Sequence, residues 1–224
     1  MRFAAVVLGV LLLPGMARAA DKTGFNWSAS LSASTSTTLN SEIIQKPQYG
    51  FSLSGHKGTI ALGADIRTAR SSIGTDSEDK FYARAEQKLK PFDLHYEVTY
   101  RVYPGTLPGY HDSGLTYSVS ASRSFLGVSC SLGADYTGED YSTTRKAVGY
   151  SVSLGRGLAP KLSGWISVAH KRQWGSVDYT NTNIGVYYQA TSKIGVSTSV
   201  NTWHAFAPWG RDHPSLSVSL SRRL

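Results

Sequence analysis

Six histidines, His56, His95, His111, His170, His204 and His213, are scattered through a serine-rich chain. A histidine beside a serine can act as the base for a hydroxyl nucleophile, and histidine or cysteine beside carboxylates can hold a metal. Neither chemistry has its spacing here. There is no Gly-x-Ser-x-Gly elbow and no His-Glu-x-x-His. His111-Asp112-Ser113 is contiguous, and contiguous residues rarely present the geometry of a triad. Glu78-Asp79 and Glu139-Asp140 are neighbouring carboxylates without histidine or cysteine at ligand spacing, so no metal site and no cofactor is expected. The expectation is a protein that is not an enzyme, with a barrel hydrolase acting on lipids as an alternative.

A second set of residues could do electrostatic work. Asp65 and Arg67, then Arg84, Glu86 and Lys88, then Asp93, His95, Glu97 and Arg101 lie at even spacings of two or four within each run. His95 apart, four acids face four bases. On adjacent strands such residues pair across the ladder and charge one wall. That wall would either impose a transverse field on passing solutes or serve as a structural ladder.

The elements that must position these charges are strands. In Phe92–Val102, Phe92, Leu94, Tyr96, Val98, Tyr100 and Val102 share one parity, and Asp93, His95, Glu97, Thr99 and Arg101 the other. A period of two puts these sets on opposite faces. Twelve such segments are expected, at about 24–38, 48–55, 59–70, 80–89, 92–103, 114–123, 127–136, 147–154, 161–170, 182–190, 194–204 and 214–224. Short connections such as His56-Lys57-Gly58 and Lys90-Pro91 alternate with long ones of 9 to 11 residues, such as 104–113. This is the pattern of an all-β, single antiparallel up-and-down transmembrane β-barrel of about twelve strands. A water-soluble barrel or sandwich is the competing reading. Against it stands a polar face of small hydroxyls, Ser28 to Ser36 on the first segment and Ser215 to Ser219 on the last. Aromatics also gather near segment ends. Tyr49, Phe81, Tyr103, Tyr136, Trp174, Tyr179, Trp203 and Trp209 lie by the long loops, and Phe25, Phe92, Phe125 and Trp165 by the short turns.

The N-terminus has a basic start, an apolar run from Phe3 to Leu13 and Ala17-Arg18-Ala19, which reads as a signal peptide over 1–19. The barrel then occupies 20–224. Losing Arg2 and Arg18 takes the formal charge from +8 to +6. The single cysteine, Cys130, can make no internal disulfide. Basic residues crowd the short turns and barrel ends, at Lys57, Lys90, Arg123, Arg156, Lys161, Lys193, Arg222 and Arg223. A basic rim of this kind meets lipid phosphates and favours anions at the inner mouth. It lacks a nucleic-acid recognition motif, so no nucleic acid is expected as a partner. Outer-membrane lipids, lipopolysaccharide and small hydrophilic solutes are.

The run Phe92–Gly105, FDLHYEVTYRVYPG, closes in Tyr103-Pro104-Gly105 and resembles the aromatic strand of the proteobacterial TorF-type porins, the Gcw_chp domain. Leu158–His170 and Asp178–Val186 are weaker echoes. The resemblance implies an outer-membrane pore and supplies no substrate. The expected function is therefore passive diffusion of small hydrophilic solutes through the bacterial outer membrane, with slight anion bias and both termini periplasmic. A closed barrel serving as adhesin or assembly platform is the alternative.

Overall fold

The computed structural model describes residues 24–35, 37–39, 42–44, 47–139, 142–206 and 213–223. The expected leader over 1–19, Trp209 and the C-terminal Leu224 lie outside the described residues. Alternation of small polar and large apolar side chains becomes a closed antiparallel barrel. Its wall runs β1 (Asn26–Ser34), β4 (Gln48–Lys57), β5 (Ile60–Thr68), β6 (Ser77–Leu89), β7 (Phe92–Val102), β8 (Ser113–Phe125) and β9 (Val128–Thr137). It continues through β10 (Lys146–Ala159), β11 (Leu162–Trp174), β12 (Tyr179–Gln189), β13 (Ile194–Ala205) and β14 (His213–Arg223). Between the first two wall strands lies a separate hairpin, β2 (Thr37–Leu39) and β3 (Glu42–Ile44). The seam closes on β1, where Leu31 stands opposite Phe51 on one side and Leu220 on the other. Closure leaves no unpaired edge, which a bilayer requires because lipid offers no hydrogen-bond partner.

Each of the twelve expected segments corresponds to a wall strand, and the differences lie at the ends. The first segment stops at Ser34, and the small hairpin follows it. Several long connections are shorter than expected. Gly175–Asp178 alone joins β11 to β12, and β6 begins at Ser77 rather than at residue 80. The cause is continued pairing: Thr68 still pairs with Ser77, and Lys146 with Trp174. Each added ladder bond satisfies backbone groups that a loop would leave to solvent.

Parity is visible in exposure. Val98 is 43 % exposed on the outer surface, and its neighbour Thr99 is 1 % exposed on the inner one. The inner face is filled partly by aromatics lying flat on glycine. The Tyr82 ring covers Gly63 and the Trp165 ring covers Gly185, so closely that a Cβ at either glycine would overlap the ring. This is the cross-strand aromatic–glycine pairing that pins register in barrels.

Four of the expected girdle aromatics point inward instead. Trp165 donates to Asn183 Oδ1 at 2.7 Å. Tyr179 and Trp203 line an interior cavity, with ring centroids 4.4 Å apart. Tyr103 is 2 % exposed and packs on Ala69 and Ile73. Each lies on the inner parity or in a loop, so position near a strand end alone misassigns it. Tyr49, Phe81, Tyr136, Phe92 and Phe125 remain exposed on the outer surface.

The long connections bond to one another along the rim. Asp76 N–H donates to Pro104 O at 2.8 Å, Leu107 N–H to Ile73 O at 2.9 Å, and His111 exchanges backbone bonds with Ser142. The Tyr103-Pro104-Gly105 turn sits in this join. Gly105 and Gly74 both have positive φ, and a Cβ on either would stand 2.8 Å from the other's carbonyl oxygen. Only glycine fits both requirements.

Candidate functional site

The site is the interior of the barrel, and its charged wall is built by β5, β6 and β7. Alternation carries Asp65 and Arg67, then Arg84 and Glu86, then His95, Glu97 and Arg101 into interior cavities. Register sets the partners. Arg84 stands opposite Glu97 and Glu86 opposite His95. Arg84 Nε donates to Glu97 Oε2 at 3.0 Å, and Arg84 Nη2 to the same oxygen at closer range. Lys88 and Asp93 are register partners at the short-turn end, both exposed.

The ladder is larger than the spacing suggested. Glu78 takes an ion pair from Arg67 and another from Arg101 at 3.5 Å. Lys80 lies between Asp65 at 3.7 Å and Glu97 at 3.8 Å. Across the barrel, Lys171 on β11 pairs with Asp135 on β9 at 3.5 Å. Glu78, Lys80, Asp135 and Lys171 were not among the expected lining residues. Three of them were legible. Lys80 and Asp135 fall on the inner parity of expected strands, and stepping back by two from Lys80 reaches Glu78. Lys171 follows the expected end of its strand by one residue. These additions are two acids and two bases, so the wall stays balanced.

Away from these pairs the described inner face is lined mainly by neutral polar side chains, with Arg223 at its short-turn end. Ser28 and Ser54 share a hydrogen bond of 2.9 Å, as Thr116 and Thr137 do at 2.8 Å. Trp165, Asn183 and Asn201 form a hydrogen-bonded row on β11 to β13. Toward the long-loop end the two walls meet around a cavity of about 340 Å³. Arg67, Glu78 and Arg101 face Tyr179, Asn181, Asn201 and Trp203 across it, with Lys171 at the side. Cations, amides and ring faces here offer complementary contacts to a hydroxylated or anionic solute.

One catalytic geometry arises that sequence spacing did not indicate. His95 Nε2 and Ser122 Oγ share a hydrogen bond of 3.0 Å, and His95 Nδ1 lies 3.5 Å from Glu86 Oε1. A serine hydrolase also needs donors aimed at an oxyanion. Ser122 lies in a strand paired on both sides, opposite Asp93 and Ser131, so the surrounding N–H groups belong to the ladder. The line faces the interior, away from lipid. Among the described residues no group of three or more His, Cys, Asp or Glu could hold a metal ion.

No protein-family model matches the chain, and no curated protein matches it. Solved structures do. A KdgM porin in complex with disordered oligogalacturonate is similar with a TM-score of 0.65 and 9 % identity, over 88 % of this chain and 99 % of that one. A NanC porin is similar at 0.64 and 9 %, over 88 % and 100 %. An outer membrane channel from Pseudomonas putida F1 is similar at 0.60 and 10 %, over 89 % and 96 %. At these identities the likeness is one of fold: the chain has the barrel fold of outer-membrane porins and channels.

Proposed function

We propose that this chain is a passive pore of the bacterial outer membrane for small hydrophilic solutes, with a slight anion bias and both ends of the barrel wall on the periplasmic side. The observation that carries the reading is the polar interior: charged residues and hydroxyls inside, Val98-type apolar residues outside. A soluble barrel inverts that order. Twelve strands about 4.8 Å apart and tilted roughly 40° give a backbone radius of about 12 Å. Side chains narrow this to a path for sugars, small organic acids or nucleoside-sized solutes. An acidic saccharide, as in the KdgM complex, suits the cations and rings around the outer cavity. Asp65, Arg67, Arg84, Glu86, Lys88, Asp93, His95, Glu97 and Arg101 are the proposed pore lining. Because that wall is balanced, the anion bias is assigned to the basic short-turn rim. Kinship with the TorF-type porins, carried by Tyr103-Pro104-Gly105, belongs to the same proposal.

Planar-bilayer recording on refolded protein tests it. Discrete conductance steps with modest anion preference are expected. Neutralising Lys57, Lys90, Arg156 and Lys193 together should erase the preference while leaving conductance within about a factor of two, since exposed rim charges are screened over about 8–10 Å. Absence of current from correctly folded protein would favour the closed platform.

A further inference from the structure

The outer surface carries a pair of cations within its apolar and aromatic cover near the long-loop end of β10 and β11. Lys146, Arg172 and Trp174 share the outward parity, with Lys146 opposite Trp174 and Arg172 opposite Val148. Lys146 Nζ lies 4.5 Å and Arg172 Cζ 5.1 Å from the centroid of the Trp174 ring. Two cations drawn to one ring stand no more than about 10 Å apart. Both side chains are exposed, and among the described residues the outward parity of β9 to β14 contains no Asp or Glu. The facing groups on the neighbouring strands are His170, bonded to Thr180 at 3.1 Å, and His204, with Phe206 between the two imidazoles. On β6 to β9 outward positions near this end include Phe81, Tyr100, Tyr117 and Tyr136, with Asp79 one pleat beyond Phe81 and bonded to Ser77 Oγ at 3.0 Å.

Depth identifies what meets these cations. Arg172 lies ten residues along β11 from Leu162, which at about 3.3 Å per residue and a tilt near 40° is a rise of about 25 Å. The apolar band of an outer-membrane barrel is about 25 Å tall. With Leu162 at the inner edge, Arg172 reaches the outer edge, level in register with Val148 and Tyr136. Lys146 and Trp174 stand one pleat further out, among headgroups. A phosphate monoester there carries nearly two negative charges and three acceptor oxygens, enough for both cations at once.

We infer that Lys146, Arg172 and Trp174 form a binding site for the phosphorylated headgroup of outer-leaflet lipid A. The site rests on the outer-membrane reading and on the long loops facing outward. Trp174 holds the two cations apart and supplies an apolar surface at the base of the acyl chains, so the site recognises a phosphate attached to a lipid.

Refolded wild type and the Lys146→Gln/Arg172→Gln variant are mixed in detergent with diphosphoryl lipid A or its dephosphorylated form, and retained lipid is read by native mass spectrometry. Wild type should retain diphosphoryl lipid A at least tenfold better than either the variant retains it or wild type retains the dephosphorylated form. Equal retention by variant and wild type overturns the site. So does retention indifferent to phosphate, including the case where the variant instead loses a contact between copies. Heat-modifiable gel mobility and conductance, run on the same samples, should be unchanged in the variant. If wild type fails those two measurements, the barrel pore itself is refuted, and the lipid site falls with it for a separately visible reason.

Discussion

Glu78 sits between two arginines, which makes it the most informative single residue of the charged wall. Glu78→Gln would leave the guanidinium groups of Arg67 and Arg101 with less compensation beside the outer cavity. Reversal potentials in a salt gradient should then move toward anions, because charge in a confined, lower-dielectric lumen is screened less than charge at the rim. Arg101→Ala should move them the opposite way, since Glu78 keeps only Arg67 and Thr116 loses its donor. If both variants leave the reversal potential in place, the wall is a structural ladder. The inner-face placement of Asp65, Arg67, Arg84, Glu86, His95, Glu97 and Arg101 was readable because parity is strict within a strand. The paired roles of Glu78 and Lys171 were less so, since they depend on how far the ladder continues beyond the apolar band. Partners were not readable at all: Lys171 meets Asp135 from two strands away, and only the register brings them together.

Strands and loops carry separate expectations. Val98→Arg puts a guanidinium on the lipid face near mid-strand, at a cost of about 2–4 kcal/mol. The inner-face control must be chosen by packing, because Thr99 is 1 % exposed and bonds to Glu97 Oε1 at 2.7 Å. Ser120, which lines a cavity with Glu86 and Glu97, offers room. Urea unfolding in lipid vesicles should therefore rank Ser120→Arg well above Val98→Arg in stability, and the reverse order would mean an apolar interior. Among the loops, Gly105→Ala meets both a positive φ and the Gly74 carbonyl. Left-handed backbone costs a non-glycine residue about 1–2 kcal/mol before the clash is counted. Proteolysis between residues 103 and 112 should quicken while the barrel core stays protected. Element existence was legible from alternation and turn residues. Loop lengths were not, because backbone pairing continues wherever two ascending strands remain in register, whether or not their side chains alternate. The girdle erred for a related reason: aromatic type marks an interface only when parity also points outward, which Trp165, Tyr179 and Trp203 do not satisfy.

At the level of the whole molecule, the two ends of the barrel differ, and the difference predicts an orientation. Two-residue turns such as Gly58-Thr59, Lys90-Pro91 and Leu126-Gly127 lie at one end together with the start of β1 and the finish of β14. The joined connections 69–76 and 103–112, with Ser142 bonded to His111, lie at the other. Barrels of the outer membrane place short turns in the periplasm and long loops outside. Cysteines introduced one at a time report which end faces outward, provided the exposed Cys130 is first replaced by serine. Pro108→Cys and Glu139→Cys, both exposed at the long-loop end, should react with a membrane-impermeant maleimide on intact cells. Lys57→Cys and Thr191→Cys should react only after the outer membrane is opened, since their turns lie about 25 Å of apolar wall away. The inverted pattern would keep the barrel and reverse its orientation. It would also place the basic short-turn rim outside and bring Lys146 and Arg172 to the periplasmic leaflet, where lipid A is absent. Labelling of all four positions without opening the membrane would mean that the barrel does not span it, and the pore would then have no membrane to serve.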